Sequence, residues 1–491
     1  MSRRRGLLAA AGAAILLLIY VPADGVRAQR AAAGSSGAAA RAAYYHTQLR
    51  LQEDLAAFRE FRPSYPFWQH IYTVPDGHVI YGSAEDGRLL ATFPRRGNWA
   101  ENGLWADPAL AGVLDGRDLP RSLGDRRRAV EELLADAAGP VIHNATRGRF
   151  LSRNADRHAD FLGEWGAIYE RFGVPAEIGL AQAIVESGLY GRARSRARAL
   201  GFCQWLPRNW NRLKRLSPYV IEGYNQTTQA PFCAAYLTIL STMYDSYIPA
   251  LSEHHAGGVN VGRTVVNGER LGGRDTRAQY FLGSEFARTL RGIALRRYRA
   301  LYRTYGHRSA LYAEMVFGNM YNVRQLMRET PQSDIYAMRV PRNTSLPTVV
   351  ELSGLSSREV KRYNPALVRQ VPRNAALYLP MYLEELGEDV TFWRRPPSAE
   401  YAAALADFVG LDATVEEWHE PAFEETLQHF RERFADTGTE EGTVMATTIA
   451  FVIDDLSRSR RGAILDEFRT SDRVLELFER GRQAIEERED N

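Results

Sequence analysis

The stretch from Val185 to Pro207, VESGLYGRARSRARALGFCQWLP, sets the tightest limits on what this chain can fold into. Ahead of it, Ile178, Ala181, Ile184 and Val185 recur at helical spacing behind Pro175, whose fixed φ suits the first turn of a helix. The apolar run ends on one carboxylate, Glu186, followed by Ser187. A loop of small residues then runs through Ala193, Ser195, Ala197 and Gly201 to Gln204, before Trp205-Leu206-Pro207 closes it. The pattern predicts a core helix that delivers a single acid to the edge of the core, facing a polar loop. Burial there disfavours the charged form and raises the carboxyl pKa, as a general acid working near neutral pH requires. A Glu at such an edge is more often structural, so the spacing of the loop carries the reading, not Glu186 alone.

This stretch resembles the signature of the lytic transglycosylases that carry a soluble-lytic-transglycosylase, lysozyme-like domain. In that family Glu-Ser is followed by spaced Ala, Ser, Ala and Gly, then by an aromatic-Gln-aromatic-Met-Pro run. The resemblance implies a mainly α fold with a lysozyme-like catalytic domain over residues 150–310. It implies a substrate, the glycan strand of peptidoglycan, cut between N-acetylmuramic acid and N-acetylglucosamine. Glu186 would first protonate the glycosidic oxygen. It would then act as base while the muramic 6-hydroxyl attacks its own anomeric carbon and closes a 1,6-anhydro ring. Ordinary glycosidases need two carboxylates. Intramolecular attack removes that need, because the nucleophile is already held beside the reacting carbon. Near Glu186 no second carboxylate is evident, and Glu222, Asp245 and Glu253 are the later candidates for a hydrolase.

The resemblance also implies substrate contacts from Ser187, Ser195, Gln204 and Tyr236. For Ser187 and Gln204 the competing reading is local capping of the backbone. Thr227, Ala234, Tyr236 and Leu237 resemble the family's Thr…Ala-Ala-x-Tyr-Leu helix. Glu253-His254-His255-Ala256-Gly257 lies where the family has Ala-Tyr-Asn-Ala-Gly, so His254 and His255 are expected to contact sugar. Adjacent histidines rarely face one ion and no third ligand is spaced to join them, so neither a metal nor another cofactor is expected. Tyr190-Gly191 replaces the family's Asn-Pro, and Cys203 replaces a Trp. These departures, with the two histidines, keep two further readings open: a non-catalytic peptidoglycan-binding or scaffold protein, and a muramidase-type hydrolase.

Met338-Arg339-Val340, Thr344-Ser345-Leu346, Val349-Val350, Gly354, Val360, Asn364-Pro365 and Leu377-Tyr378-Leu379-Pro380 resemble a LysM module over 335–380, with Asn343-Thr344 at the usual Gly-Asp. That resemblance implies two strands enclosing two helices and affinity for N-acetylglucosamine chains. A small β-α core of no such function is the plainer reading.

The net charge of +3 equals the sum over residues 1–28, where Arg3, Arg4, Arg5 and Arg27 face Asp24. The rest is near neutral, and nucleic acid is not an expected partner. Those 28 residues read as an export signal, with an apolar core from Gly6 to Val21 and a Val26-Arg27-Ala28 cleavage site. A periplasmic protein is expected, or a membrane-associated one if the signal stays uncleaved. Cys203 and Cys233 then permit one intrachain bridge, two buried thiols being the alternative. The lysozyme-like resemblance places both at one cleft. Residues 29–47 read as a flexible Ala/Gly/Ser linker and 48–149 as a mixed region, with a hairpin around Gly87 and a charged helix from Gly116 to Ala138. Residues 398–491 read as a helical C-terminal region. Both flanks are expected to recruit the protein to a cell-envelope assembly.

Overall fold

The computed structural model describes residues 35–216, 224–303, 307–411 and 421–489, and the proposed export signal lies outside them. The described chain is mainly helical, with three small antiparallel sheets. No described helix is long and apolar enough to cross a membrane.

The first helix, α1 (Ser35–Phe61), corrects the linker expected at 29–47, since the chain is helical from Ser35. Alanine is the strongest helix former, and the Ala run continues into a segment that the core holds. Arg50 and Asp54 are buried there. Arg50 pairs with Asp245 at 3.0 Å, and Asp54 accepts hydrogen bonds from Ser246 Oγ, the Tyr247 N–H and Arg277 Nε, each at 2.7 Å. Phe58 packs among Tyr65, Phe281 and Phe317.

Residues 78–145 form a sheet of order β3-β2-β1-β4, made of β1 (His78–Ser83), β2 (Leu89–Pro94), β3 (Leu104–Trp105) and β4 (Val141–Ala145). The expected hairpin joins β1 to β2. Gly87 turns it with φ +74°, where a Cβ would lie 2.6 Å from the Phe67 nitrogen. Helix α2 (Leu123–Ala138) starts later than expected, because Ser122 caps it by accepting the Asp125 N–H. Val79, Tyr81, Leu90, Phe93, Trp99, Val130 and Leu134 give this unit its own core.

The helical region contains α3 (Leu162–Arg171), α4 (Ala176–Ser187), α5 (Pro207–Leu216), α6 (Gln226–Tyr244), α7 (Tyr247–Ala256), α8 (Gly258–Arg270), α9 (Thr276–Ala294) and α10 (Tyr312–Glu329). Helix α10 packs against α4, so this region runs beyond the expected boundary at 310.

Residues 335–380 hold two outer strands, β5 (Tyr336–Arg339) and β8 (Ala376–Leu379), paired antiparallel from Tyr336↔Leu379 to Arg339↔Ala376. Between them lie β6 (Thr344–Ser345), α11 (Leu346–Ser353), α12 (Ser357–Tyr363) and β7 (Gln370–Val371). Met338, Val349, Val360 and Leu377 form a core of their own. The outer face, however, is docked on the helical region. Tyr363 packs on Phe161 at 4.8 Å, the Tyr378 and Thr228 hydroxyls meet at 2.9 Å, and Arg362 pairs with Asp160. Deleting 335–380 is therefore expected to lower the thermal midpoint of the whole protein by several degrees, as measured by calorimetry, because it uncovers Phe161 and unpairs Asp160.

The C-terminal region is helical as expected: α13 (Ala399–Val409), α14 (Pro421–Asp436), α15 (Glu440–Ser459), α16 (Arg461–Thr470) and α17 (Asp472–Glu489). Helix α13 lies along α1, where Arg50 Nη2 donates to the Val409 carbonyl at 3.1 Å, and α15 lies on α6.

Candidate active site

Helix α4 stops at Gly188, which has φ +58° and whose Cβ would lie 2.1 Å from the Phe150 carbonyl oxygen. The Gly188 and Leu189 N–H groups return to the Ile184 and Ala183 carbonyls, closing the helix end. Glu186 thus sits in the last turn, with its side chain 14% exposed. Its Oε1 accepts the Tyr312 hydroxyl at 2.5 Å. Burial pushes the Glu186 carboxyl up to about 7, and the Tyr312 hydrogen bond offsets part of the rise. The carbonyl end of the helix, also negative, acts in the same direction as burial.

Ser187 is 2% exposed, and its hydroxyl donates to the Ala183 carbonyl at 2.9 Å and the Phe202 carbonyl at 3.1 Å. This corrects the expected substrate contact, because a hydroxyl shared between two buried carbonyls ties α4 to the loop and faces no ligand. Ser195 lies on the loop's outer side. It is exposed, and its Oγ accepts the Ala199 N–H at 3.0 Å within the loop's own turn. Gln204, at φ +52°, donates Nε2 to the Ala193 and Gly201 carbonyls at 3.2 and 2.9 Å, so its amide nitrogen braces the loop from within.

Cys203 and Cys233 are joined as a disulfide, with Cα atoms 6.3 Å apart, fastening the loop to α6. Removing it by Cys203→Ser with Cys233→Ser is expected to lower stability by about 3–4 kcal/mol in the chain-entropy account. Equilibrium urea unfolding, with and without the bridge, measures the difference.

The loop, α6 and α7 converge on Trp205. Its Nε1 donates to His254 Nδ1 at 3.3 Å, while His254 Nε2 reaches the Cys203 carbonyl at 2.9 Å. An acceptor at Nδ1 and a donor at Nε2 define one neutral tautomer. Burial holds His254 down at about 4, so the imidazole is neutral at neutral pH and its 3.6 Å approach to Glu186 Oε1 is not an ion pair. His255, exposed, stacks on Tyr312 at 4.6 Å and 11°. The two histidines thus face different partners, and among the described residues no group of three His, Cys, Asp or Glu side chains could hold a metal ion. Tyr236 lies edge-on to Trp205 at 5.1 Å and 6.1 Å from His254, and burial keeps its hydroxyl protonated.

Two contributors are not legible in the motif. Tyr312 lies 126 residues after Glu186, on a helix beyond the resemblance. The C-terminal region supplies the other. Phe451 of α15 stacks on Trp205 at 5.6 Å and 12°, with the Arg212 guanidinium 4.5 Å from the Phe451 ring. Arg461 of α16 reaches Glu253 at 2.8 Å, and Glu253 also accepts the Tyr244 hydroxyl at 2.5 Å. Glu253 is therefore committed to a buried pair, and Asp245 to Arg50 and Arg277. Glu222 lies outside the described residues. Among the described residues, Glu186 is left as one protonated acid beside a loop and an aromatic wall. Comparison with protein-family models and with curated proteins finds no match for this chain.

Proposed function

We propose that the chain is a lytic transglycosylase that cleaves peptidoglycan glycan strands and leaves 1,6-anhydromuramic ends. One observation carries the reading: among the described residues Glu186, near pKa 7, stands as a lone acid while Asp245 and Glu253 are bound to arginines. A carboxyl held near 7 can donate a proton to the glycosidic oxygen and take one back from the 6-hydroxyl within one turnover. Tyr312 keeps Oε1 in place and stabilises the carboxylate when it forms. His254, neutral, has its Nε2–H committed to the Cys203 carbonyl and packs 3.6 Å from the same oxygen without adding charge there. The sequence pattern from Glu186 to Pro207, with the helices around it, supports a lysozyme-like domain. The strand–helix–helix–strand order of 335–380 supports a LysM-like module with affinity for N-acetylglucosamine chains. An exported, periplasmic protein fits both.

Digestion of purified sacculi, read by mass spectrometry, tests the proposal. Anhydro ends support it, reducing ends indicate a muramidase, and no products leave a binding or scaffold protein. The pH profile adds a second check. The proton that Glu186 must donate is present below about pH 7, so cleavage is expected to fall about tenfold per unit above it.

A further inference from the structure

A cavity of about 410 Å³ lies away from Glu186, between α8, the short helix Arg299–Tyr302 and the C-terminal helices. Three arginines line it: Arg263, Arg299 and Arg303. Ile464, Phe468 and Val474 form an apolar wall, and Glu467 is the one acid in the lining. The buried arginines Arg50, Arg277 and Arg461 are each ion-paired, yet among the described residues no carboxylate lies within ion-pair distance of these three.

The contrast is sharpest at Phe468. Two guanidiniums lie over its ring, Arg263 at 5.3 Å and Arg270 at 5.2 Å. Arg270 is satisfied, donating to Asn267 Oδ1 and to the Phe468 and Arg469 carbonyls. Arg263 keeps a buried Nε with no hydrogen-bond partner. A buried donor left unsatisfied costs about 1–3 kcal/mol, which an acceptor in the cavity would recover. Burial and the nearby charge of Arg303 both disfavour the charged form of Arg263, and Glu467 offsets part of that.

We propose that this cavity is a binding site for a small oxyanion, carboxylate or phosphate, attached to a short apolar group. The guanidinium forks match either oxyanion in a two-pronged contact, and the Ile464–Phe468–Val474 wall takes the apolar part. The site joins α8 to α16 and the start of α17, so a bound anion clamps the C-terminal helices onto the helical region. Anything that binds only the docked arrangement stabilises it by mass action. The site is independent of the glycan chemistry proposed for Glu186.

Titration calorimetry on the full chain at constant ionic strength tests it, with inorganic phosphate and N-acetylalanine as separate probes. Saturable binding of at least one is expected, and which one binds names the source of the anion. Arg263→Gln should weaken that binding about tenfold or more, the loss of one charge-assisted contact. Arg299→Gln, on an exposed side chain, gives the same test should Arg263→Gln fail to fold. Arg482→Gln, on the exposed face of α17 and outside the cavity lining, should change nothing. Absence of saturable binding for both probes overturns the site, as does an equal loss with Arg482→Gln.

Discussion

Glu186→Gln should lower glycan cleavage by about 10²–10⁴-fold while sacculus binding persists, since the amide keeps the shape but can neither give nor recover the proton. The same variant should alter stability in a pH-dependent way. Between the ordinary glutamate value of 4.5 and about 7, folded Glu186 holds a proton that the unfolded chain has released. Native stability therefore falls as pH rises through that window, and the loss persists above it. It amounts to about 3 kcal/mol when fully developed. Glu186→Gln carries no such loss, so its stability relative to the parent should improve by up to that amount from pH 4 to pH 8. Urea unfolding at both pH values measures the change. An enzyme with unchanged cleavage would remove Glu186 from the chemistry, and a pH-independent stability difference would remove its raised pKa.

Arg461→Met should be the most destabilising single change outside the site. Arg461 and Glu253 are both buried, with side chains 3% and 7% exposed, and Tyr244 bonds to each. Removing the cation leaves Glu253 charged in the core, which typically costs about 3–5 kcal/mol. Restoring neutrality with Glu253→Gln in the same chain should recover much of the loss. Because Glu253 directly precedes His254, cleavage should fall with the single change and return in part with the double. Denaturant melts of the four chains in the cycle give the coupling, and additive effects would show the pair to be independent.

The helical class and the end of α4 were legible because both rest on local pattern: apolar spacing behind Pro175, then a stop at Gly188. The hairpin at Gly87 was legible for the same reason, and the charged helix in part, since its start at the Ser122 cap was missed. Ser187, Ser195 and Gln204 were expected at the ligand; the structure buries Ser187, engages Gln204 with loop carbonyls, and leaves Ser195 exposed with its Oγ accepting a loop N–H. Short polar side chains next to a tight loop meet backbone groups before they meet solvent, and a motif does not say which of the two a residue faces. Tyr312, Phe451 and Arg461 carried no local signal at all. Their importance comes from packing across more than a hundred residues of sequence. The Ala-rich start misled in the other direction, since small residues suit both a linker and a helix, and only the core beneath Arg50, Asp54 and Phe58 decides.

The pairing of α1 with α13 has a kinetic side. Helical proteins tend to fold fast because most of their contacts are local. Here Arg50 awaits a carbonyl 359 residues downstream. At ordinary synthesis rates of about 5–20 residues per second, that gap is roughly 20–70 s. For that time the α1 face meant for α13 has no mate, so the amino-terminal third must wait for nearly the whole chain before its fold can close.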